Sequence, residues 1–171
     1  ETGILFVELC VKICRNAGRI AIILPNGYLG NKSQKFRIVR EWLLRHTKIA
    51  AIISLPRFTF KSSGADVSAS VLYLEKRDSP LENFDNDEEY MFAVEMVEKT
   101  GWEANKKASP IYKRDIEDGS MITDENCNPI LDCDFSDVIK RISHSQATCF
   151  FSWLPQSGDK NDDSWAISNR I

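Results

Sequence analysis

The sequence predicts an α/β fold: a mostly parallel sheet with one antiparallel strand, followed by a mixed α+β extension. Three segments support this prediction: RIAIILPNG from Arg19, IAAIIS from Ile49 and VSASVLYL from Val67. A helix-length amphipathic segment separates the first two, which therefore form a right-handed parallel crossover. The third follows a loop that contains no helix, so it pairs antiparallel with its neighbour.

The first predicted element is an amphipathic helix over residues 4–15. Its apolar residues recur with helical spacing and predict the buried face: Ile4, Leu5, Phe6, Leu9, Cys10 and Ile13. Asn16 and Gly18 are typical of the C-terminal end of a helix.

The next elements are a strand and a helix. Arg19–Leu24 is an almost continuous apolar run, which predicts a strand buried on both faces and ended by Pro25-Asn26-Gly27. Ser33 is the expected N-cap of a helix that continues to His46. The apolar face of this helix consists of Phe36, Val39, Trp42 and Leu43.

Two further strands complete the predicted sheet, and a more polar region follows. Lys48–Ser54 predicts a second buried strand, and Val67–Leu74 a third, because both are rich in β-branched residues. Beyond Lys76 the chain is acidic up to a short strand, Tyr90–Val97, and residues 103–132 are polar and irregular. A short helix is expected from Phe135, Val138, Ile139 and Ile142, with Asp134 or Ser136 as its cap. From Gln146 onward we expect loops with exposed aromatic residues, namely Phe150, Phe151, Trp153 and Trp165.

Composition and charge are those of a globular chain that does not bind nucleic acid over its whole surface. The chain has 171 residues, 43% hydrophobic and 27% charged, with a net charge of −3. Residues 31–48 carry a net charge of +5, whereas residues 78–103 carry −8. The basic stretch could face phosphates and the acidic one solvent or a protein, although two ordinary solvated faces explain the charges equally well.

The cysteines and apolar runs exclude several classes of protein. Five cysteines, an odd number, lack the paired spacing of metal ligands, so we expect buried reduced thiols and no metal site. No apolar run approaches the roughly 20 residues that span a bilayer, and no signal peptide opens the chain. We therefore expect no membrane association.

Two segments resemble a known family. LPNGYLGN and SLPRFTFKSSGADVSASVLYLEK resemble adenine-N6 DNA methyltransferases, most closely the modification subunits of type I restriction systems. The resemblance implies a Rossmann-like class I methyltransferase fold, S-adenosylmethionine as cofactor and a bacterial, cytoplasmic protein. It covers residues 3–77 well.

The resemblance also calls for motifs that are missing. The chain has no Gly-x-Gly turn for the cofactor and no Asn/Asp-Pro-Pro-Tyr/Phe turn for the target amine, since Asn128-Pro129-Ile130 lacks the second proline and the aromatic residue. In the family both motifs lie upstream. We therefore expect the C-terminal half of such a domain, with no catalytic residue in this chain and no activity alone.

The resemblance suggests which residues form a pocket for the extruded target base. An aromatic residue just before the last strand packs on the flipped adenine in the family, and Phe60 matches that position, with Phe58 second and mainly structural. In a random protein such residues are more often core anchors. Pro25 could form an apolar wall and Asn26 a polar contact, while a plain strand-to-helix turn is the equal alternative.

Other residues are candidates for contact with the DNA backbone. Lys61, Ser62 and Ser63 follow the aromatic pair in a small flexible run suited to phosphate contact. Lys32 and Lys35 could contact phosphates too, although solvated lysines at the start of a helix are the commoner case.

We expect three regions: residues 1–77 as the C-terminal half of the methyltransferase domain, 78–145 as a strand and helix extension, and 146–171 as a linker. The final WAISNRI resembles the lead-in to a target-recognition domain. The expected partners are double-stranded DNA and specificity and restriction subunits or fused domains. The alternative is a non-catalytic DNA-binding or subunit-assembly module, which the aromatic residues at 150–165 and the acidic segment would suit.

Overall fold

A computed structural model describes residues 2–156 of the chain. Its helices are α1 (Thr2–Ile13), α2 (Gly27–Gly30), α3 (Gln34–His46), α4 (Phe135–Ser143) and α5 (Ala147–Phe150). Its strands are β1 (Arg19–Pro25), β2 (Thr47–Ser54), β3 (Ala69–Lys76) and β4 (Ala93–Met96). Trp165 and most of the predicted linker lie outside the described residues.

The four strands form one sheet in the order β1-β3-β2-β4. β3 is antiparallel to both β1 and β2, and β2 is parallel to β4. Hence β1, β2 and β4 share one direction and β3 is inserted between two of them in the opposite sense. The predicted fold class, a mostly parallel sheet with one antiparallel strand, is confirmed.

The strand register brings functional candidates to one edge of the sheet. Pro25 at the end of β1 pairs with Ala69, and Ser54 at the end of β2 pairs with Ser70. The start of β3 therefore lies between the carboxyl ends of β1 and β2. We call this end of the sheet the carboxyl edge.

Helices α1 and α3 cover one face of the sheet, which we call the first face. Its core contains Val7, Val11, Ile20, Ile22, Leu24, Leu43, Leu72 and Leu74. The bounds of α3 match the prediction, and Ser33 occupies its N-cap position.

The predicted buried face of α1 is wrong, because Leu5, Phe6, Leu9 and Ile13 are exposed and Val7 and Val11 point inward. Apolar residues surround most of this helix, so their spacing did not select one face.

Strand β1 differs from the prediction in a related way. Ile20, Ile22 and Leu24 are buried, but Ala21 and Ile23 on the other side are exposed. β1 is the outermost strand, and its outer edge has no partner strand among residues 2–156. Burial on both faces is therefore not observed, because none of the described elements covers this part of the opposite face.

The opposite face, here the second face, is covered by the C-terminal part of the described chain. Its core joins β2 and β4 to α4, α5 and the residues that follow: Ala50, Ala51, Ile53, Leu55, Ala93, Val97, Val138, Ile142, Ala147, Phe151 and Leu154. The expectation of exposed aromatic residues is wrong for Phe151, which is 2% exposed, and it holds for Phe150. Trp153 is half-buried and donates a hydrogen bond to Glu75 Oε2 at 2.6 Å.

Between β4 and α4, residues 100–133 form an irregular antiparallel arm. Five isolated antiparallel β-bridges join short segments of this arm to one another: Thr100–Cys133, Trp102–Pro110, Tyr112–Leu131, Arg114–Met121 and Thr123–Pro129. Asp134 occupies the N-cap position of α4, but its carboxylate accepts hydrogen bonds from the backbone N–H groups of Glu98 and Lys99. The arm is thereby anchored to the end of β4. The region boundaries at 77/78 and 145/146 stay predictions.

Two further observations concern the classes that the sequence excluded. Within residues 2–156, no helix has the length and apolar character needed to span a membrane. All five cysteines are free thiols, and the expectation that they are buried is wrong, because Cys127 and Cys149 are exposed and the other three are only half-buried.

Candidate functional site

The turn after β1 is held against the start of β3 by two hydrogen bonds. The Asn26 backbone N–H donates to Ser68 O at 2.8 Å, and Ser70 Oγ donates to Asn26 Oδ1 at 2.8 Å. Ser70 is only 3% exposed, so its hydroxyl proton needs an acceptor, and the amide oxygen of Asn26 supplies one. The amide nitrogen of Asn26, with two N–H donors, therefore remains available at the carboxyl edge. Pro25 beside it is exposed.

The basic segment that follows divides into structural and surface residues. Arg40 Nη1 donates to the carbonyl oxygens of Tyr28 and Asn31, both at 2.9 Å, and so holds the connection between α2 and α3. Arg45 donates to the carbonyl oxygen of Glu82 at 2.9 Å. Lys32 and Lys35 are exposed at the start of α3, close in sequence to the carboxyl edge. The surface open to phosphate is thus smaller than the net charge suggested.

The loop between β2 and β3 is compact. Both the backbone N–H and the hydroxyl of Thr59 donate hydrogen bonds to the carbonyl oxygen of Pro56, at 3.3 Å and 2.6 Å. A 3₁₀ turn, Lys61–Ser63, follows and ends at Gly64, whose φ of 84° suits glycine. Ser62 and Ser63 are exposed on this turn. The three predicted backbone-contact residues therefore lie together on an ordered turn at the carboxyl edge.

The two phenylalanines of this loop occupy different environments. Phe60 is half-buried and packs against the core of the second face. Phe58 has φ of 70°, a strained conformation for a residue other than glycine. The Arg57 guanidinium lies 4.6 Å and the Lys61 ammonium 4.3 Å from the Phe58 ring centroid. Phe60 thus has the packing of a core anchor, and Phe58 forms a small cationic–aromatic surface.

A cleft of about 520 Å³ separates this loop from the base of the arm, and we call it the loop–arm cleft. Arg57, Phe58 and Ser62 lie on its loop wall. Trp102 and Ile111 lie on its arm wall, together with Glu98, Lys99, Glu103 and Asp132. Phe60, Pro25 and Asn26 do not line this cleft, so the predicted target-base residues fall into separate surroundings.

Sequence reasoning missed Ser70, Arg57 and Trp102. Ser70 belongs to a strand whose alternation predicts only which face it occupies, and its contact with Asn26 depends on the register between β1 and β3. Trp102 directly precedes the polar segment 103–132, which contains no tryptophan. A single large aromatic residue beside a polar segment is a signal that the sequence does provide. Its position opposite Phe58 depends on how the arm folds back.

Among residues 2–156 there is no cluster of His, Cys, Asp and Glu able to hold a metal ion. Burial raises the pKa of Tyr73, so its phenol stays protonated near neutral pH. Backbone N–H groups lower the pKa values of Asp118 and Asp124 in the turns of the arm, which keeps both ionised.

The chain matches one protein family over most of its length. The sequence profile of the family described as N-6 DNA Methylase matches residues 1–135. No curated protein sequence matches the chain.

Three solved structures are similar to part of the chain. A provisionally assigned class I S-adenosylmethionine-dependent methyltransferase from Listeria monocytogenes is 23% identical, with 55% of this chain and 26% of that chain covered and a TM-score of 0.42. A provisionally assigned type I modification subunit from Vibrio vulnificus YJ016 is 18% identical, with shares of 84% and 34% and a TM-score of 0.43. A chain from a type I restriction–modification complex is 24% identical, with shares of 52% and 20% and a TM-score of 0.40. The chain thus spans between a fifth and a third of the length of these proteins.

Proposed function

Because the chain belongs to the N-6 DNA methylase family, we propose that it is part of an S-adenosylmethionine-dependent DNA adenine-N6 methyltransferase of a bacterial restriction–modification system. In this proposal the chain supplies one wall of the target-base pocket and contacts to the DNA backbone. It is inactive alone and acts in the cytoplasm with specificity and restriction subunits or fused domains. Double-stranded DNA is the substrate.

The observation that carries the proposal is the hydrogen bond between Ser70 and Asn26 at the carboxyl edge. Ligands of open α/β sheets bind beyond the carboxyl ends of the strands. Asn26 stands at such an end with its amide oxygen occupied, so it offers donors to ring nitrogens of an extruded base. Pro25 adds an exposed apolar surface beside it. An adenine amino group can be methylated only after the base leaves the stack, which requires a pocket of this kind.

The candidate DNA contacts lie on both sides of that turn in the chain. Lys61, Ser62 and Ser63 form the 3₁₀ turn before β3, and Lys32 and Lys35 are exposed before and at the start of α3. Hydroxyl groups, backbone N–H groups and lysines are the usual partners of phosphate oxygens. Their position near the carboxyl edge supports a role in aligning the strand that bears the target base.

Uncovered apolar surface supports the view that this chain works as part of a larger domain. The outer edge of β1 is unpaired among the described residues, and Ile23 is exposed beside it. Leu5, Phe6 and Leu9 form an exposed apolar stripe on α1. A further strand and its helices would cover both surfaces, and unprotected edges of this kind promote association.

The residues of this chain do not fit the cofactor. The turn after β1 is Pro-Asn-Gly and the loop after β2 is aromatic, whereas an S-adenosylmethionine site of this family uses a Gly-rich turn after a strand. The cofactor, which would supply the methyl group, is therefore expected to bind residues upstream. No catalytic step is assigned to this chain.

The experiment is isothermal calorimetry with S-adenosylmethionine on this chain and on the chain extended upstream, followed by a DNA adenine methylation assay. Binding and methylation by the extended protein alone are the expected result. If the extended protein binds no cofactor, the methyltransferase proposal is wrong and a binding or assembly module takes its place. Part of that rival's support remains, since Phe150 is exposed, although Phe151 is buried and Asp87, Glu88 and Glu95 are paired with basic residues.

The role of Phe60 is tested by comparing Phe60→Leu with Phe60→Ala in the extended protein. Leucine keeps apolar contact with the core of the second face and removes the aromatic ring. If Phe60 stacks on the base, Phe60→Leu lowers kcat/KM for methylation about 5- to 150-fold, because stacking contributes about 1–3 kcal/mol per base. If Phe60→Leu methylates normally and only Phe60→Ala loses stability, Phe60 is a core anchor.

A further inference from the structure

We infer that the loop–arm cleft binds one nucleotide of a DNA strand, with the base stacked on Trp102 and the phosphate held by Arg57. This inference rests on the proposed function and deepens it, because it adds a second subsite beside the target-base pocket. The nucleotide would belong to the strand that is distorted when the target base leaves the duplex. Such an unpaired neighbour exposes both faces of its base for stacking.

The first argument is the state of Trp102. Its side chain is 49% exposed, and it has no hydrogen bond or ring contact within residues 2–156. The other described tryptophans are engaged, since Trp42 stacks on His46 and Trp153 donates to Glu75. A half-exposed indole on the wall of a cleft is the residue type that most often anchors a ligand or a nucleobase.

The second argument is the opposite wall. Arg57 and Lys61 both approach the ring of Phe58, at 4.6 and 4.3 Å from its centroid. Arg57 forms an ion pair with Asp66 at 3.9 Å, and this pair is weak because both side chains are more than half exposed. The strained φ of Phe58 is characteristic of residues that a binding site holds in place. Arg57 therefore places a guanidinium on the cleft wall beside an aromatic ring, and this pair suits a phosphate and its sugar.

The third argument is the division of charge across the cleft. The arm wall carries the exposed carboxylates of Glu98 and Glu103, while Lys99 is neutralised by Asp132 at 3.0 Å. A phosphate is therefore repelled from the arm wall and attracted to the loop wall. The base then lies toward Trp102, where carboxylates can accept hydrogen bonds from exocyclic amino groups. A volume of about 520 Å³ is sufficient for one nucleotide.

The test uses this chain and a short, fluorescently labelled single-stranded oligodeoxynucleotide, with binding followed by anisotropy. Trp102→Ala is expected to weaken binding about 5- to 150-fold, which corresponds to the loss of one stacked base. Trp102→Phe retains an aromatic ring and is expected to weaken oligonucleotide binding less than Trp102→Ala does. The matched control is Phe150→Ala, because Phe150 is also 49% exposed but lies on α5, outside the cleft.

A second readout isolates the phosphate contact. Arg57→Gln is expected to reduce the slope of log K against log salt by about 0.7, the value for one phosphate contact on a single strand. Circular dichroism and urea unfolding of each variant exclude misfolding as the cause. Trp102 pairs with Pro110 through its backbone, so truncating its side chain leaves that bridge in place.

Three outcomes overturn the inference: no binding of the oligonucleotide, equal weakening by Trp102→Ala and Phe150→Ala, or a lysine-rich peptide binding at Trp102 in its place. The result is separable from the proposed function. If the extended protein binds the cofactor but this chain does not bind the oligonucleotide, only the inference of a second subsite is wrong. Trp102-dependent oligonucleotide binding without cofactor binding leaves a nucleic-acid-binding module.

Discussion

The two faces of the sheet are closed by different kinds of contact. The first face is covered by α1 and α3, whose core joins them to β1 and β3, and all four elements lie within the first 76 residues. The second face is covered by α4, α5 and Phe151, which are separated from β2 by the whole acidic segment and the arm. The helices and strands that build a core from neighbouring segments can be predicted from sequence, although the inward residues of α1 could not, whereas a core made from distant segments cannot be located.

The largest predicted effect comes from the second face. Phe151→Ala is expected to lower the free energy of unfolding by about 3–5 kcal/mol, because the ring is buried and its removal leaves a cavity. Tyr90 and Trp153 contact this ring edge-on and would lose a partner. Urea unfolding of the whole chain measures the change. Phe150→Ala is the control, and a comparable loss there would mean that the C-terminal segment does not pack as described.

The first face gives the next largest effect. Leu72 is completely buried in its core, so Leu72→Ala is expected to cost about 2–5 kcal/mol by the same mechanism. Leu9→Ala on the exposed side of α1 should change stability by no more than about 0.5 kcal/mol. Chemical denaturation of both variants tests which side of α1 faces the sheet. A larger loss for Leu9→Ala would restore the face that the sequence predicted.

The smallest effect concerns pH, and it distinguishes the two faces. Tyr73 packs against the core of the second face, and burial raises the pKa of its phenol above the ordinary value of 10.0. Folding therefore favours the protonated phenol, so this contribution to stability is complete below pH 10.0 and is lost as pH rises through the raised folded pKa.

The measurement compares Tyr73→Phe with the unchanged chain. Denaturant midpoints of both proteins are determined at neutral pH and at a pH above the ordinary tyrosine pKa. The unchanged chain should lose more stability on this change than Tyr73→Phe does. Equal losses would mean that Tyr73 is not buried by the second face.

Much of the sheet could be predicted because its signals are local. The helix α3 was predicted at its observed bounds, and β2 to within one residue, since caps and apolar runs mark both. The inward side of α1 was not predictable, because apolar residues occupy most of its circumference and only packing selects between them. The exposed side of β1 was not predictable for a similar reason, because an apolar run does not show whether another element covers both faces of the strand.

The candidate site divides in the same way. The Pro-Asn-Gly turn and the aromatic loop are visible as residue types at strand ends, and the structure brings both to the carboxyl edge. The partner of Asn26 was not predictable, because Ser70 meets it through the pairing of β1 with β3. The different surroundings of Phe58 and Phe60 were not predictable either, since two residues at this spacing are equivalent until a core forms on one side.

The sequence by itself determined the order of the four strands and of α1, α3 and α4, the antiparallel direction of β3 and the family, but not α2 or α5, which lie where a turn and a loop were expected. These follow from short-range periodicity, turn residues and motifs that remain adjacent in the chain. Only the tertiary structure decided that Phe151 closes the second face, that Ser70 orients Asn26 and that Trp102 lies across a cleft from Phe58. Such contacts join segments far apart in the chain. They depend on the register between strands and on the burial of apolar surface by distant segments, and neither can be read from local sequence.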